Sequence, residues 1–302
     1  MTIERVGEFG WVRMLPKLFR AGRGVVCGIG DDCAVLKYTK SQYQLMTSDM
    51  LVEGIHFKQR TSPSAIGWKA LGVSVSDIAA MGGVPQSAVV SVGVPRRYSL
   101  KALRQLVGGM QSMASKAGVS VVGGDTVRAQ RLTIDVAMLG VVEKKRLVLR
   151  SGARVGDTLF VTGKLGGAVR SGKHLKFTPR LKESRAIGKH FKIHAMIDLS
   201  DGLSGDLVHL TSSSGVGALI EARAVPRSRG VSLASALSEG EDFELLLAVP
   251  KRQASMLLRW SKKNLRCGLT AIGKVISKRG GVVLQSVSGA TKPLMATGYR
   301  HF

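Results

Sequence analysis

Apolar residues alternate with others along the stretch from Leu132 to Val142. Leu132, Ile134, Val136 and Met138 fall on one side of an extended chain there, the period of a half-buried strand. Between Ala65 and Met81 the period changes: Ile66, Ala70, Val73, Ile78 and Met81 recur at helical spacing, Asp77 sits near the end, and Gly82-Gly83 stops the run. The rest of the first half follows the same alternation of types. Strands are expected at Val25 to Gly28 (running into a Gly30-Asp31-Asp32 turn), at Gln44 to Thr47, at Ser87 to Val94 and at Ser120 to Val122. Ser48 and Asp49 then stand at the end of the second of these, and Gly123-Gly124-Asp125-Thr126 at the end of the fourth. A helix is expected over Leu100 to Ala117.

Ser151 to Asp157 is rich in turn formers and divides the chain into two domains, 1–149 and 150–302. The second restarts with a strand at Thr158 to Thr162, followed by a Gly- and Lys-rich stretch of poor periodicity. Ala195 to Asp198 reads as a strand feeding Leu199-Ser200-Asp201-Gly202 and a helix to about Ser212. Further strands are expected at Gly217 to Glu221, Phe243 to Val249, Leu269 to Val275 and Val282 to Gln285, with helices near Val231 to Leu237 and Arg252 to Lys263. No period of 20–50 residues recurs. The fold class is α/β (α+β) in two halves.

Composition narrows the setting. The most apolar stretch, Ile78 to Pro95, is interrupted by Gly82, Gly83 and Pro85, which argues against a membrane span. The first twenty residues carry acids, bases and a proline where a signal peptide needs an apolar core. Cys27, Cys33 and Cys267 are scattered, without metal-ligand spacing, and a reducing cytoplasm is the expected location. The 302-residue chain has 45 Lys and Arg against 20 Asp and Glu, a formal net charge of +25. Those cations are dispersed, and aromatics make up only 5%, so no specific nucleic-acid partner is expected.

In so basic a chain the placement of the acids carries information. Thirteen of the 20 fall in six short motifs: Asp31 and Asp32; Asp49 and Glu53; Asp77; Asp125; Asp198, Asp201 and Asp206; and Glu239, Glu241, Asp242 and Glu244. Most stand beside Gly or Ser next to an apolar segment. Any one motif can be a turn or a helix cap. Six together point to carboxylates gathered near strand ends, where hard divalent cations such as Mg²⁺ offset the cost of burial. Neither a GxxxxGK[ST] loop nor an HRD…DFG set is present, so phosphoryl transfer, if run, is run by a multi-carboxylate basin.

Eight segments in order resemble the thiamine-monophosphate kinases, a family within the aminoimidazole ribonucleotide synthetase-like superfamily. They are GIGDDCA (28–34), TSDMLVEGIHF (47–57), KALGVSVSDIAAMGG (69–83), GGDT (123–126), RSGARVGD (150–157), IDLSDGL (197–203), GEDFEL (240–245) and the terminal GYRHF. The resemblance implies the superfamily's two-domain fold. Its N-terminal domain (1–149) binds ATP and Mg²⁺, and that domain's sheet forms a homodimer interface. It implies Mg²⁺ ligation, by several ions, at Asp32, Thr47, Ser48, Asp49, Asp77, Asp125, Asp198 and Asp201. ATP contacts are implied at Gly124, Asp125, Arg150 and Ser200, and thiamine monophosphate contacts at His56, Glu241 and Tyr299. The implied reaction is direct in-line transfer from ATP to thiamine monophosphate, without a protein nucleophile. This chain has Ser74 where the family has Asn and Arg300 where it has Asp, and its segment between Gly163 and Thr178 is shorter by about a helix, expected to lie away from most ligands.

Two alternatives stand beside this reading. Selenophosphate synthetase needs a reactive Cys near its N-terminus and the hydrogenase-maturation protein a C-terminal Cys; here Cys27 and Cys33 flank the Gly-Asp turn and the last residues are His301-Phe302, so neither is expected. The alternative of another class is a basic nucleic-acid-binding protein on the same fold.

Overall fold

The computed structural model describes residues 2–299. The terminal GYRHF motif, Arg300 included, lies beyond them except for Gly298 and Tyr299. A first helix, α1 (Ile3–Leu18), is broken at Gly7, whose φ of 67° is not helical. Six strands follow: β1 (Val25–Cys27), β2 (Ala34–Lys37), β3 (Gln42–Val52), β4 (Val84–Val94), β5 (Ser120–Arg128) and β6 (Thr133–Glu143). They form one sheet in the order β1-β2-β3-β6-β4-β5. Two helices, α2 (Pro63–Ala80) and α3 (Leu100–Ala117), cover one face of it. Ser99 caps α3 by accepting the Ala102 N–H at 3.2 Å, and Gly118 closes it in the left-handed conformation.

β6 alternates as expected, with Ile134, Val136 and Met138 buried under α2. β3 does the same over a longer run than the sequence indicated, continuing to Val52. Its inward row is Leu45, Thr47, Asp49 and Leu51, so two polar side chains are delivered beneath α2 between two leucines. The opposite sheet face leaves Met46, Met50 and Val89 exposed, and β5 is exposed at every residue.

β5 also corrects the expectation for GGDT. The glycines do not end the strand; they lie within it. A Cβ on Gly124 would stand 1.8 Å from the Val90 carbonyl oxygen, so glycine is required where β5 crowds β4 beside a register shift.

The second half comprises β7 (Thr158–Thr162), α4 (Ala168–Ser171), α5 (Leu181–His190), β8 (Ala195–Asp198), α6 (Leu203–Ser214), β9 (Gly217–Glu221), α7 (Leu233–Ser238), β10 (Leu245–Val249), α8 (Lys251–Asn264), β11 (Leu269–Ile276), β12 (Val282–Gln285) and β13 (Thr291–Pro293). Its sheet runs β13-β12-β9-β11-β7-β10-β8. β10 reads LLLAV because both of its faces are buried: Leu246 and Ala248 pack with α6 and α7, while Leu245, Leu247 and Val249 pack with α5 and α8.

The halves meet along α2. Ser184 of α5 donates to the Ala79 carbonyl at 2.6 Å, and Arg185 bridges the Gly82 carbonyl and Glu143. Among the described helices none is long and apolar enough to cross a membrane.

Candidate active site

The C-terminal part of α2 is the floor of the site. Three of its residues meet carboxylates or hydroxyls from three directions. Asp77 accepts from Thr47 of β3 at 2.5 Å, Ser74 donates to Asp49 of β3 at 2.7 Å, and Ser76 donates to Asp198 at the end of β8 at 2.6 Å. Asp32, from the turn before β2, completes the group. Single carboxylate oxygens of Asp32, Asp77 and Asp198 lie within 4.8 Å of one another.

So many buried acids at close range are costly when ionised. Burial, with repulsion from Asp49, Asp198 and Asp32, pushes Asp77 well up from the carboxylate range. Burial and the Asp32 charge push Asp198 up to about 8, against the Ser76 hydrogen bond. Burial raises Asp49 to about 6, and burial with the Asp32 charge raises Asp31 to about 7. Arg150 opposes the trend by donating twice to Asp32 Oδ1, at 2.5 and 3.1 Å, while its backbone N–H binds Asp31. The other oxygen, Asp32 Oδ2, is buried without a hydrogen-bond partner among the described residues. An orphaned carboxylate oxygen in a group of acids this close together suits a hard divalent cation.

Around this group is a cavity of about 540 Å³ whose lining includes Asp32, Thr47, Asp49, Asp77, Arg150 and Asp198, with Val12 and Pro16 of α1 over it. A second cavity, of about 790 Å³, is lined by loops of both halves and includes His56, Glu241 and Tyr299. A smaller one, of about 260 Å³, joins them. It shares Asp49, Asp77, Asp198 and Asp201 with the carboxylate basin and His56, Glu241 and Tyr299 with the larger pocket. The three residues expected at the thiamine substrate are therefore the three that border both.

Local backbone fixes each of the three. His56 Nδ1 accepts the Val52 N–H at 3.0 Å, so the neutral ring carries its proton on Nε2. The Glu241 N–H donates to the Ser200 carbonyl at 2.6 Å and the Tyr299 N–H to the Asp201 carbonyl at 2.9 Å. Both thus hang from the Leu199-Ser200-Asp201-Gly202 turn. Glycine at 240 permits the approach, since a Cβ there would meet the Ser200 carbonyl oxygen at 2.4 Å. Glu241 and Phe243 both take positive φ, 69° and 49°.

The structure brings Asp32, Thr47, Asp49, Asp77, Asp198, Ser200, Asp201 and Arg150 to one cavity. Ser48 also lines it, but its hydroxyl points to the other sheet face and donates to Asp135 at 3.1 Å, since neighbours on a strand alternate in direction. Gly124 and Asp125 stand apart from the basin on exposed β5, where the Asp125 carboxylate accepts the Thr126 N–H at 2.7 Å. The shortened segment also departs from expectation. It forms α4 and a turn that wall the larger pocket with Val169, Ser171, His174 and Leu175, the pocket that also contains the three residues expected at the thiamine substrate. Residues missed by sequence reasoning are the bracing hydroxyl Ser76, the overlying α1, and Lys69; Ser74 stood out only as a departure from the family's Asn, not as a brace for Asp49. A lone lysine inside the apolar helix α2 (Pro63–Ala80) was the available signal for Lys69.

Family models of the AIR synthase related proteins match residues 30–142 (N-terminal domain) and 154–285 (C-terminal domain). Curated relatives narrow it. The thiamine-monophosphate kinase of Rhodopirellula baltica is 34% identical over 290 residues, covering 90% of this chain and 88% of that protein. That of Aquifex aeolicus is 32% identical over 332 aligned positions, covering all of both. A solved structure of AaThiL complexed with AMPPCP and TMP superposes with a TM-score of 0.86 at 31% identity, covering 100% of this chain and 99% of the other. The chain belongs to the thiamine-monophosphate kinase family.

Proposed function

We propose that this chain transfers the γ-phosphoryl group of ATP to thiamine monophosphate, giving thiamine diphosphate and ADP. The observation that carries the reading is the joining cavity. It connects a carboxylate basin to a pocket bordered by His56, Glu241 and Tyr299, as direct transfer between two bound phosphates requires. Asp32, Asp77 and Asp198, with Asp49 and Thr47 beside them, would hold Mg²⁺. Bound there, the metal would supply positive charge to offset that of the phosphates.

The chain's own groups do the rest. Arg150 sits at the basin wall with a permanently charged planar fork for phosphate. His56 offers its Nε2 proton to the acceptor phosphate, Glu241 places a negative charge near the cationic thiazolium, and Tyr299 supplies an aromatic face. Because the acceptor is an ionised phosphate, no protein base has to remove a proton, and none is assigned. Asp125 takes part through a homodimer in which β5 of one copy reaches the partner's basin, and the exposed sheet face is the surface that pairs. The chain acts in the cytoplasm.

Steady-state kinetics on three variants tests the assignment. His56→Ala and Tyr299→Ala are expected to raise KM for thiamine monophosphate by about tenfold or more with KM for ATP little changed, and Arg150→Ala to do the reverse. His56→Ala weakening ATP and sparing the thiamine substrate would overturn it.

A further inference from the structure

Among the described residues, Lys69 is the largest wholly buried side chain, at 0% exposure, in a helix whose neighbouring buried residues are Ile66, Ala70, Leu71 and Val73. An ammonium in that setting is stable only if it is paired and hydrogen-bonded. Its partners come from both halves of the molecule. Nζ donates to the His56 carbonyl at 2.9 Å and is ion-paired with Glu241 Oε2. His56 follows β3 in the first half, whereas Glu241 precedes β10 in the second. One buried cation therefore ties together the two loops that face each other across the larger pocket.

We infer that Lys69 is a positioning residue for the acceptor side of the site. It holds the His56 loop and the Glu241 carboxylate at a fixed separation, without itself touching substrate. The inference rests on the proposed reaction for its kinetic consequence but not for its structural one.

Two features make such a tie necessary. Glu241 and Phe243 sit at positive φ without being glycine, a conformation that persists only where surroundings enforce it. The other acids of the segment are already committed elsewhere: Glu239 accepts the Gly167 N–H, Asp242 the Gly166 N–H, and Glu244 binds Arg180 and Thr162. Those contacts anchor the segment to the second half alone. Lys69 is the ion-pair partner that the first half supplies to it. The Glu241 side chain keeps 23% exposure, so one carboxylate oxygen stays with Lys69 while the group still borders the cavity.

The test uses the full-length protein and the variants Lys69→Met, Glu241→Gln and the double variant. Met replaces the stem without a charge, and in the double variant no unpaired charge is left buried, which keeps a folded reference. Lys69→Met is expected to speed amide exchange in residues 239–244 and 53–57 only, a readout that needs no ligand. In kinetics it is expected to raise KM for thiamine monophosphate about tenfold or more while KM for ATP stays within about twofold. The double variant should be no worse than the worse single one, because the two residues act as a pair. Unchanged exchange in 239–244, equal increases in both KM values, or additive losses would each overturn the inference. A wild-type protein that does not phosphorylate thiamine monophosphate would overturn the proposed substrate instead, and amide exchange would then decide the role of Lys69 by itself.

Discussion

At the scale of single residues, a cation held by the buried acids as proposed would compete with protons for them. Asp198, Asp31 and Asp49 are pushed up to about 8, 7 and 6, mainly by burial, against about 3.9 in an unfolded chain. Between pH 6 and 8 the folded protein therefore holds protons that the unfolded chain has released, and stability falls as pH rises. Glu143 moves the other way, to about 2, through its hydrogen bond from Arg185. Its contribution disappears only as pH falls below the usual carboxylate range, so it is flat across this window. The metal-free protein is thus expected to melt at lower temperature at pH 8 than at pH 6, and Mg²⁺ to raise Tm more at pH 8. Asp77→Asn should cut both that Mg²⁺-dependent gain and turnover, the latter on the order of 10²-fold. A Mg²⁺ gain independent of pH, or near-normal turnover in the variant, would contradict the assignment.

At the scale of elements, β5 is the exposed piece. It forms the sheet edge with Val121, Val122 and Val127 at 43%, 66% and 54% exposure, next to a face carrying Met46 and Met50. An apolar open edge of this kind is normally covered. Light scattering is expected to give twice 32.2 kDa, and Val122→Lys to shift the protein toward monomer with loss of activity. A monomer across the micromolar range in the wild type would contradict this.

The elements legible in the sequence were those with a clean period or a clean stop, such as α3, β8 and the buried row of β6. α1 was not, because Gly7, Gly10 and Pro16 interrupt its pattern. β5 was cut short because paired glycines read as a turn, whereas the cause here is the neighbouring Val90 carbonyl, a tertiary fact. The acids of the site were legible from their Gly and Ser neighbours. The bracing roles of Ser74, Ser76 and Lys69 were not, since these residues sit in an apolar helix and acquire partners only when β3, β8 and the Glu241 loop close over it.

At the scale of the whole molecule, two sheets with separate cores are docked along α2, and no part of the site belongs to one half alone. Asp32, Asp49 and Asp77 come from the first half and Asp198 and Asp201 from the second. The pocket likewise sets His56 against Glu241 and Tyr299. A chain of net charge +25 places several of its few acids there, which suits the proposed role of the basin in holding metal cations. In the proposed reaction the phosphoryl group passes directly between the two cavities. ³¹P NMR of the purified protein with ATP, Mg²⁺ and thiamine monophosphate follows donor and acceptor at once. Thiamine diphosphate and ADP are expected to appear in equal amounts with no inorganic phosphate. ADP and inorganic phosphate accumulating while thiamine monophosphate is untouched, or no turnover at all, would contradict the claim.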